Sequence, residues 1–290
     1  MATIKHIEAN GVIRHVTFTC PKHGEYVVTM MAGRDGKLVG PSDECPKCRS
    51  EYFEEHREEI EAERRKEEEF FRKSEEKAKA EEHQRRMNAA MSASNIPREY
   101  RDVDLATITF ADKGNAETLR QVRLYAEHFE EVRKKGVGLF LYGETGTGKT
   151  HLACALLRAL MPDVRGGYAM TWEIIRAVKS SGFQDDPLEP LIELPLLVID
   201  EIGVQYGSKF EETVLYPLID SRVAERRPTI FISNVQPDTK DASRREETVR
   251  GLLGERLWDR VQYRSIFLPL HGASVRKRYR SVDELLEASN

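Results

Sequence analysis

The sequence predicts an α/β protein with a parallel sheet covered by helices, preceded by a small β-rich unit and a long charged helix. The prediction rests on three observations. Short apolar runs alternate with helical patterns over residues 95–290, as in sheets whose parallel strands are joined by helices. Residues 49–94 are rich in helix-favouring Glu, Lys and Arg and, up to Ala93, lack glycine and proline. Residues 1–48 contain β-type runs separated by turn residues.

Each segment has its own boundary signals. The β-type runs lie at residues 15–19 and 25–31. In the charged segment, apolar residues such as Phe53 and Phe70 keep no heptad register, which favours a solvated helix over a coiled coil. Pro97 disfavours helix in the residue before it and marks where that segment ends. We therefore predict domains at residues 1–48, a helical linker at residues 49–94, and a larger domain at residues 95–290.

Composition and charge narrow the class of protein only in part. The formal net charge is −4, although about a third of the 290 residues are charged, so the overall balance indicates no nucleic-acid or membrane partner. No run approaches the roughly 18 to 20 apolar residues that cross a bilayer, and the N-terminus lacks the apolar core of a secretion signal. We expect a cytoplasmic protein whose four cysteines are not paired in disulfides.

A complete phosphate-binding loop lies between a predicted strand and a predicted helix. Its glycines let backbone N–H groups turn towards phosphates, Lys149 places a cation on the β and γ oxygens, and the Thr150 hydroxyl is positioned for Mg²⁺. The loop therefore predicts ATP and Mg²⁺ as cofactors. The expected nucleotide contacts are Gly143, Glu144, Thr145, Gly146, Thr147, Gly148, Lys149, Thr150 and His151.

Polar residues follow the next two apolar runs of the larger domain. The run at residues 196–199 ends in Asp200, suited to the Mg²⁺ shell, and in Glu201, which can orient or deprotonate the attacking water. The alternative is a strand that merely ends in solvated acids. Asn234 follows the run at residues 229–233, at the strand end where α/β proteins bind ligands, and could sense the γ-phosphate or simply form a turn.

Two arginines lie on the helical segment predicted over residues 251–260. Arg256 and Arg260 are one turn apart and share a face. A guanidinium fork suits the charge of a γ-phosphate, in the same chain or in a neighbouring subunit. The alternative is an ordinary pair of surface side chains.

Together these motifs closely resemble the DnaC family of bacterial helicase-loader ATPases, which are AAA+ proteins of the initiator type. The resemblance covers about residues 96–280, and its most specific part is the stretch 197–210 followed by the Gly-Glu-Arg and Asp-Arg pattern at residues 254–260. It implies a three-layer AAA+ domain. It also implies that Arg260 is the arginine finger for a neighbour's ATP, that Arg256 assists it, and that Arg276 is the sensor-2 arginine.

The same resemblance implies partners. The family loads the hexameric replicative helicase onto single-stranded DNA, and its ATPase parts assemble into an ATP-dependent spiral on the helicase. Phe183, Ser208 and Phe210 fall where the family contacts single-stranded DNA, and an aromatic ring there could stack on a base. Phe183 and Phe210 could instead be buried core residues. The N-terminal part differs from the short helical N-terminus of the best-known members.

The N-terminal segment contains a pattern typical of a structural zinc site. Cys20 and His23 form C-x-x-H, and Cys45 and Cys48 form C-x-x-C, with 21 residues between the two pairs. Three thiolates and one imidazole, at the ends of β-hairpins, suit tetrahedral Zn²⁺. Such a metal would stabilise the fold of a small domain, since no coordination position is left open. The alternative is a surface histidine and unpaired thiols.

The function we favour from the sequence is an ATP-dependent loader of a replicative helicase, with ATP, Mg²⁺ and Zn²⁺ as cofactors. An IstB-like ATPase that assists DNA transposition is a related alternative. A binding module whose nucleotide acts as a switch without hydrolysis is an alternative of a different class.

Overall fold

The protein is described here by a computed structural model. It describes residues 3–10, 13–32, 37–40, 44–181, 186–203 and 209–274. The chain forms two compact units, residues 1–80 and residues 81–290. The division into residues 1–48, 49–94 and 95–290 stays a prediction.

The first unit contains a four-stranded antiparallel sheet in the order β1-β2-β3-β4. Only the second and third strands were predicted. The strands are β1 (Thr3–Asn10), β2 (Ile13–Cys20), β3 (Gly24–Ala32) and β4 (Leu38–Val39).

The core of this sheet is small. Val16, Phe18 and Cys20 alternate along one face of β2 and are buried, as the two-residue period of a strand requires. Val28 of β3 is buried against them, and the ring of Tyr26 stacks on Phe18 with centroids 5.7 Å apart. Four buried side chains in the described part of this sheet stabilise a fold weakly, so a unit of this kind needs a further cross-link.

Two helices follow the sheet, α1 (Pro46–Glu55) and α2 (Arg57–Ala93). The predicted long charged helix is present as α2, although helix already begins at Pro46, before Arg49, and His56 separates α1 from α2. The His56 ring stacks on Tyr52 and its Nδ1 lies 3.0 Å from the Tyr52 carbonyl oxygen, a local bond that competes with regular helix. Neither helix buries a residue.

The second unit is built on a parallel five-stranded sheet in the order β6-β7-β8-β5-β9. Four of these strands correspond to apolar runs that predict strands, at residues 137–142, 196–199, 229–233 and 265–268. The strand β6 was not predicted, because its opening Gly166-Gly167 pair indicates a turn. The strands are β5 (Gly138–Tyr142), β6 (Gly166–Met170), β7 (Leu196–Asp200), β8 (Thr229–Ser233) and β9 (Ser265–Pro269).

Eight α-helices of the described chain surround this sheet or lead into it. They are α3 (Lys113–Glu127), α4 (Phe129–Lys135), α5 (Lys149–Ala159), α6 (Thr171–Ser181), α7 (Glu189–Ile192), α8 (Lys209–Ala224), α9 (Val249–Leu253) and α10 (Glu255–Tyr263). The segment predicted to be helical over residues 251–260 forms parts of two helices, because Gly254, at φ 78°, separates α9 from α10. No helix in the described segments is long and apolar enough to span a bilayer.

Apolar side chains fill both faces of the sheet, which confirms the predicted three layers. Leu139 and Leu141 of β5 point to one face, where residues of α3 and α5 are buried. Phe140 points to the other face, where residues of α6, α8 and α10 are buried. Its ring lies 5.0 Å from Phe267 and 6.0 Å from Phe231 between centroids. Strands buried on both sides are typical of parallel sheets.

A fully buried arginine joins α8 to the loop before β7. Arg222 donates hydrogen bonds to the carbonyl oxygens of Leu191, Ile192 and Leu194 at 2.7 to 3.1 Å. It also bonds the Pro228 carbonyl and the Thr229 hydroxyl at 2.6 and 2.9 Å. The guanidinium thus satisfies carbonyl groups that the short helix α7 leaves without partners.

Candidate nucleotide site and metal centre

The loop after β5 has the geometry of a phosphate cradle. Gly143 has a φ of 139°, and a Cβ there would collide with the carbonyl oxygen of Leu270. The loop ends at Gly148, which caps α5 without any side-chain hydrogen bond. The first amides of α5 therefore have no side-chain acceptor at the cap and, with the helix dipole, favour an anion.

The ammonium group of Lys149 is buried inside this loop. It donates to the carbonyl oxygens of Gly143 and Glu144 at 2.9 and 2.7 Å. The Thr147 hydroxyl donates to the same Glu144 carbonyl at 3.0 Å. The positive charge and the amides of α5 thus belong to one compact loop, which is the arrangement that binds polyphosphates.

The carboxylate of Asp200, at the end of β7, collects hydrogen bonds from three neighbours. The hydroxyls of Thr150 and Tyr168 both donate to its Oδ2 at 2.8 Å, and the Glu201 amide donates to its Oδ1 at 2.7 Å. Only 4% of Asp200 is exposed. A carboxylate oxygen beside a threonine hydroxyl is a hard oxygen pair that suits Mg²⁺.

Tyr168, which the sequence reasoning missed, lies on β6. Burial and the neighbouring Asp200 carboxylate raise the pKa of its phenol, so the hydroxyl stays protonated and donates. The parallel register aligns Met170 of β6 with Asp200, which brings the two strand ends together. Only knowledge of this pairing could have identified Tyr168.

Glu201 and Asn234 follow the ends of β7 and β8. Glu201 is exposed and has a φ of 60°, a left-handed conformation that is unfavourable for a residue other than glycine. The Ile202 amide donates to the Ile232 carbonyl at 3.0 Å, and the Ser233 hydroxyl donates to the Ile202 carbonyl at 2.8 Å. These bonds join the two strand ends.

The loop and the strand ends line one cleft of about 600 Å³. Besides predicted residues, it is lined by side chains that the sequence reasoning did not select. The ring of Tyr100 lies 6.0 Å from that of His151, nearly perpendicular to it. The lining residues are Pro97, Glu99, Tyr100, Thr145, Gly146, Gly148, Lys149, Thr150, His151, Tyr168, Met170, Asp200, Glu201 and Asn234.

Two of the predicted arginines, Arg256 and Arg260, do not line this cleft. Arg260 is half-buried on α10, and its guanidinium donates to Asp220 at 2.6 Å and to Asp259 at 3.0 Å. The bond to Asp220 raises the pKa of Arg260 further above its usual range. Arg256 is exposed on the same helix.

Four other predicted site residues, or their side chains, lie outside the described part of the chain. Arg276, Phe183 and Ser208 lie outside the described residues. Phe210 belongs to α8, but its side chain is likewise outside the described part of the chain.

The four predicted zinc ligands of the first unit converge. All their ligand atoms lie within 4.8 Å of one another. The Sγ atoms of Cys20 and Cys48 are 3.6 Å apart, and His23 Nδ1 lies 3.2 to 3.8 Å from the three sulfurs. Tetrahedral zinc with ordinary bond lengths separates such ligands by about 3.5 to 3.8 Å. The donor set therefore fits Zn²⁺ in number, chemistry and spacing.

The position of the second cysteine pair differs from the prediction. Cys20 ends β2 as expected, but Cys45 and Cys48 lie at the start of α1, and not at the end of a hairpin. The helix start is favourable because Pro46 occupies its first turn and fixes the backbone there. The cluster thus cross-links the sheet to α1.

The surroundings of the cluster favour metal binding. Glu51 Oε1 lies 3.1 Å from His23 Nε2, which leaves Nδ1 directed at the sulfurs, and Lys22 pairs with Glu51 at 2.5 Å. The Lys22 amide lowers the pKa of the Cys20 thiol to about 6. By contrast, the hydrogen bond with Cys20 raises the pKa of Cys48 to about 11, so this thiol would have to lose its proton on metal binding. A carboxylate that orients a metal-binding histidine is a common support for such sites.

Comparison with known proteins agrees with the motifs. The chain is 34% identical to the replicative helicase loader DnaC of Escherichia coli K12 over 157 residues, or 52% of this chain and 59% of that protein. It thus spans about three fifths of that relative. This similarity confirms the resemblance to helicase loaders that the motifs indicated.

Solved structures support the same assignment of the fold. The chain matches the crystal structure of DnaI with a TM-score of 0.54 and 25% identity, over 64% of this chain and 99% of that one. The DnaC helicase loader matches with a TM-score of 0.53 and 24% identity, over 60% and 99%. The profile of IstB-like ATP binding proteins matches residues 51–283. The chain therefore belongs to the family of IstB-like ATP-binding proteins.

Proposed function

We propose that this protein is an ATP-dependent loader of a hexameric replicative helicase onto single-stranded DNA. The observation on which the proposal rests is the cleft in which Lys149, the Thr150–Asp200 pair and Glu201 surround one space. A helicase loader is also among the proteins to which the chain is most similar.

In this proposal the cleft binds ATP with Mg²⁺. The loop amides and Lys149 bind the β- and γ-phosphates, because amide donors and an ammonium complement their negative charge. Thr150 and Asp200, whose hydroxyl and carboxylate oxygens lie 2.8 Å apart, would hold Mg²⁺. The metal, when bound, neutralises charge on the β and γ oxygens.

Hydrolysis would depend on the two residues after the neighbouring strand ends. Glu201 is exposed to the cleft, so its carboxylate can accept a proton from a water or orient that water. Asn234 lines the same cleft and offers an amide donor to the γ-phosphate. Asp200 is unsuited to the role of base, because it accepts three hydrogen bonds.

Arg260 is proposed to complete the cleft of a neighbouring copy. It does not line the cleft of its own chain, and Asp220 keeps its guanidinium charged and fixed at the protein surface. Such an arginine can couple ATP to assembly, because it stabilises the γ-phosphate of another subunit. We assign Arg256 as its helper and Arg276 as the sensor-2 arginine.

The zinc unit is proposed to bind the helicase, and the ATPase unit to contact the DNA. The Cys20, His23, Cys45 and Cys48 cluster leaves no open coordination position, so its contribution is structural. Phe183, Ser208 and Phe210 are the proposed contacts for single-stranded DNA. Stacking on an aromatic ring would need no base sequence.

One alternative has a specific observation in its favour. The family match to IstB-like ATP binding proteins is also compatible with an ATPase that assists transposition. That protein would bind a transposase in place of a helicase, so the identity of the retained partner separates the two functions.

The first prediction concerns the partner. With ATP, the intact protein should co-purify with a hexameric replicative helicase in size-exclusion chromatography, whereas residues 81–290, which form one compact unit, should not. A transposase offered in parallel should not be retained. Retention by residues 81–290 would move the helicase contact into the ATPase unit, and failure of the intact protein to bind helicase would contradict the proposal.

The second prediction concerns hydrolysis. Glu201→Gln should bind ATP as the unmodified protein does but release phosphate about 100-fold more slowly, because the variant cannot accept a proton. The assay measures phosphate release with and without helicase and single-stranded DNA. Glu127→Gln, an exposed residue of α3, makes the same chemical change outside the cleft and should be unaffected. Equal rates in both variants would exclude Glu201 as the base.

The third prediction concerns Tyr168. Tyr168→Phe removes one hydrogen bond to Asp200 and keeps the ring. We expect kcat to fall about tenfold and the Mg²⁺ concentration required for activity to rise, because a hydrogen bond to a charged group is worth about 1.5 kcal/mol. Tyr125→Phe is the control, because that buried hydroxyl donates to Val137 at 2.8 Å away from the cleft. If both variants lose activity alike, Tyr168 has only a structural role.

The fourth prediction concerns zinc. The purified protein should contain about one zinc per chain by mass spectrometry, as four ligands define one tetrahedral site. Cys45→Ala should contain none, whereas Cys154→Ala, the cysteine buried in α5, should keep it. Both tryptophans, Trp172 and Trp258, lie in the second unit. Their fluorescence should therefore show that Cys45→Ala leaves that unit folded, and equal zinc in both variants would refute the site.

A further inference from the structure

The end of the parallel sheet at which the strands begin, opposite the nucleotide cleft, is rich in positively charged residues; we refer to it as the opposite edge. All five strands begin at this edge. Arg165 directly precedes β6 and Arg264 directly precedes β9, while Lys135 and Arg227 lie just before β5 and β8. We call these residues, together with Arg133, Lys134 and Arg226, the basic edge. They lie near one another because all the strands run in the same direction.

Part of the basic edge lines a second cleft, of about 480 Å³. Four cations, Arg133, Lys134, Arg226 and Arg227, face two carboxylates and Pro195 there. The two carboxylates are Glu193 and Glu225. The balance is positive, and within the described chain neither Lys134 nor Arg226 forms an ion pair.

Arg226 occupies a backbone position that is better suited to glycine. The Arg226 amide bonds the Val223 carbonyl and the Arg227 amide bonds the Arg222 carbonyl, which is the hydrogen-bond pattern of a Schellman helix end. Arg226 has a φ of 52°. Its Cβ lies close to Gly136, because a Cβ added to Gly136 would be only 2.8 Å from the Arg226 Cβ. Glycine would avoid this backbone cost, so the arginine side chain is present despite it.

An exposed aromatic ring lies beside the cations. Arg264 donates to the Lys135 carbonyl at 2.7 Å, and its own carbonyl accepts from the Gly138 amide at 2.6 Å. These bonds hold the start of β9 against the end of α4. Tyr263, the preceding residue, is 66% exposed, and the Arg264 guanidinium lies 4.5 Å from its ring centroid.

We propose that the basic edge binds a single-stranded nucleic acid, with its cations on the phosphates and Tyr263 stacked on a base. A row of cations next to an exposed ring is the combination that binds single strands without sequence preference. A duplex or an acidic peptide would use the cations but offers no unpaired base to the ring. This inference goes beyond the proposed function, because binding here needs neither ATP nor the residues of the nucleotide cleft.

The test measures binding of fluorescein-labelled oligo-dT to the full-length protein by anisotropy, without nucleotide, over a series of salt concentrations. The double variant Arg226→Gly with Lys134→Gln should bind at least tenfold more weakly at about 100 mM salt. Its log–log salt slope should be less steep by about 1.4, since each phosphate contact in a single strand contributes about 0.7. Arg226→Gly alone should melt no lower than the unmodified protein, so weaker binding cannot result from unfolding.

The matched control is Lys113→Gln with Lys240→Gln, which should change neither affinity nor slope. Both are exposed lysines outside the basic edge, one at the start of α3 and the other in the segment after β8. Tyr263→Ala should weaken binding about five- to tenfold and reduce the preference for oligo-dT over a duplex of equal charge.

Two results would overturn the proposal. One is unchanged binding in the double variant, which would leave the helicase-loader proposal intact because that rests on other residues. The other is equal competition by poly-glutamate of the same charge, which would make the basic edge a surface for acidic proteins.

Discussion

The common direction of the five strands determines where the chemistry of this protein lies. Because every pairing in the sheet is parallel, residues that are far apart in sequence meet at one edge whenever each follows a strand. Lys149, Asp200 and Asn234 come together in this way. At the opposite edge, where the strands begin, the residues that precede the strands lie together, and many of them are positively charged.

Within the nucleotide cleft, the Asp200 carboxylate connects three structural elements. It accepts hydroxyl bonds from α5 and β6 and lies at the end of β7. A change in the position of any one of these elements would alter the charge environment of the other two. The first unit differs, because few of its described side chains are buried and four side chains that could hold a metal ion converge between its sheet and α1.

Motifs that are contiguous in sequence could be predicted, and contacts that depend on strand pairing could not. The loop at Gly143–Thr150 and the convergence of Cys20 with Cys48 follow from spacing and residue type. Tyr168 carries no local signal, because it enters the cleft only through the pairing of β6 with β7. Tyr100, which precedes the whole sheet in the chain, carries none either. The break at His56 was missed because its cause is a side-chain bond to Tyr52, in a segment where composition favours helix throughout.

At position 201, the left-handed backbone lowers the stability of the protein, whereas the proposed hydrolysis needs the Glu201 carboxylate. A residue other than glycine or asparagine with a φ near 60° costs roughly 1 kcal/mol or more. Selection in the laboratory for heat resistance alone would therefore accept glycine at position 201. The resulting protein would tolerate higher temperatures and still bind nucleotide, but it would lack the carboxylate that faces the cleft.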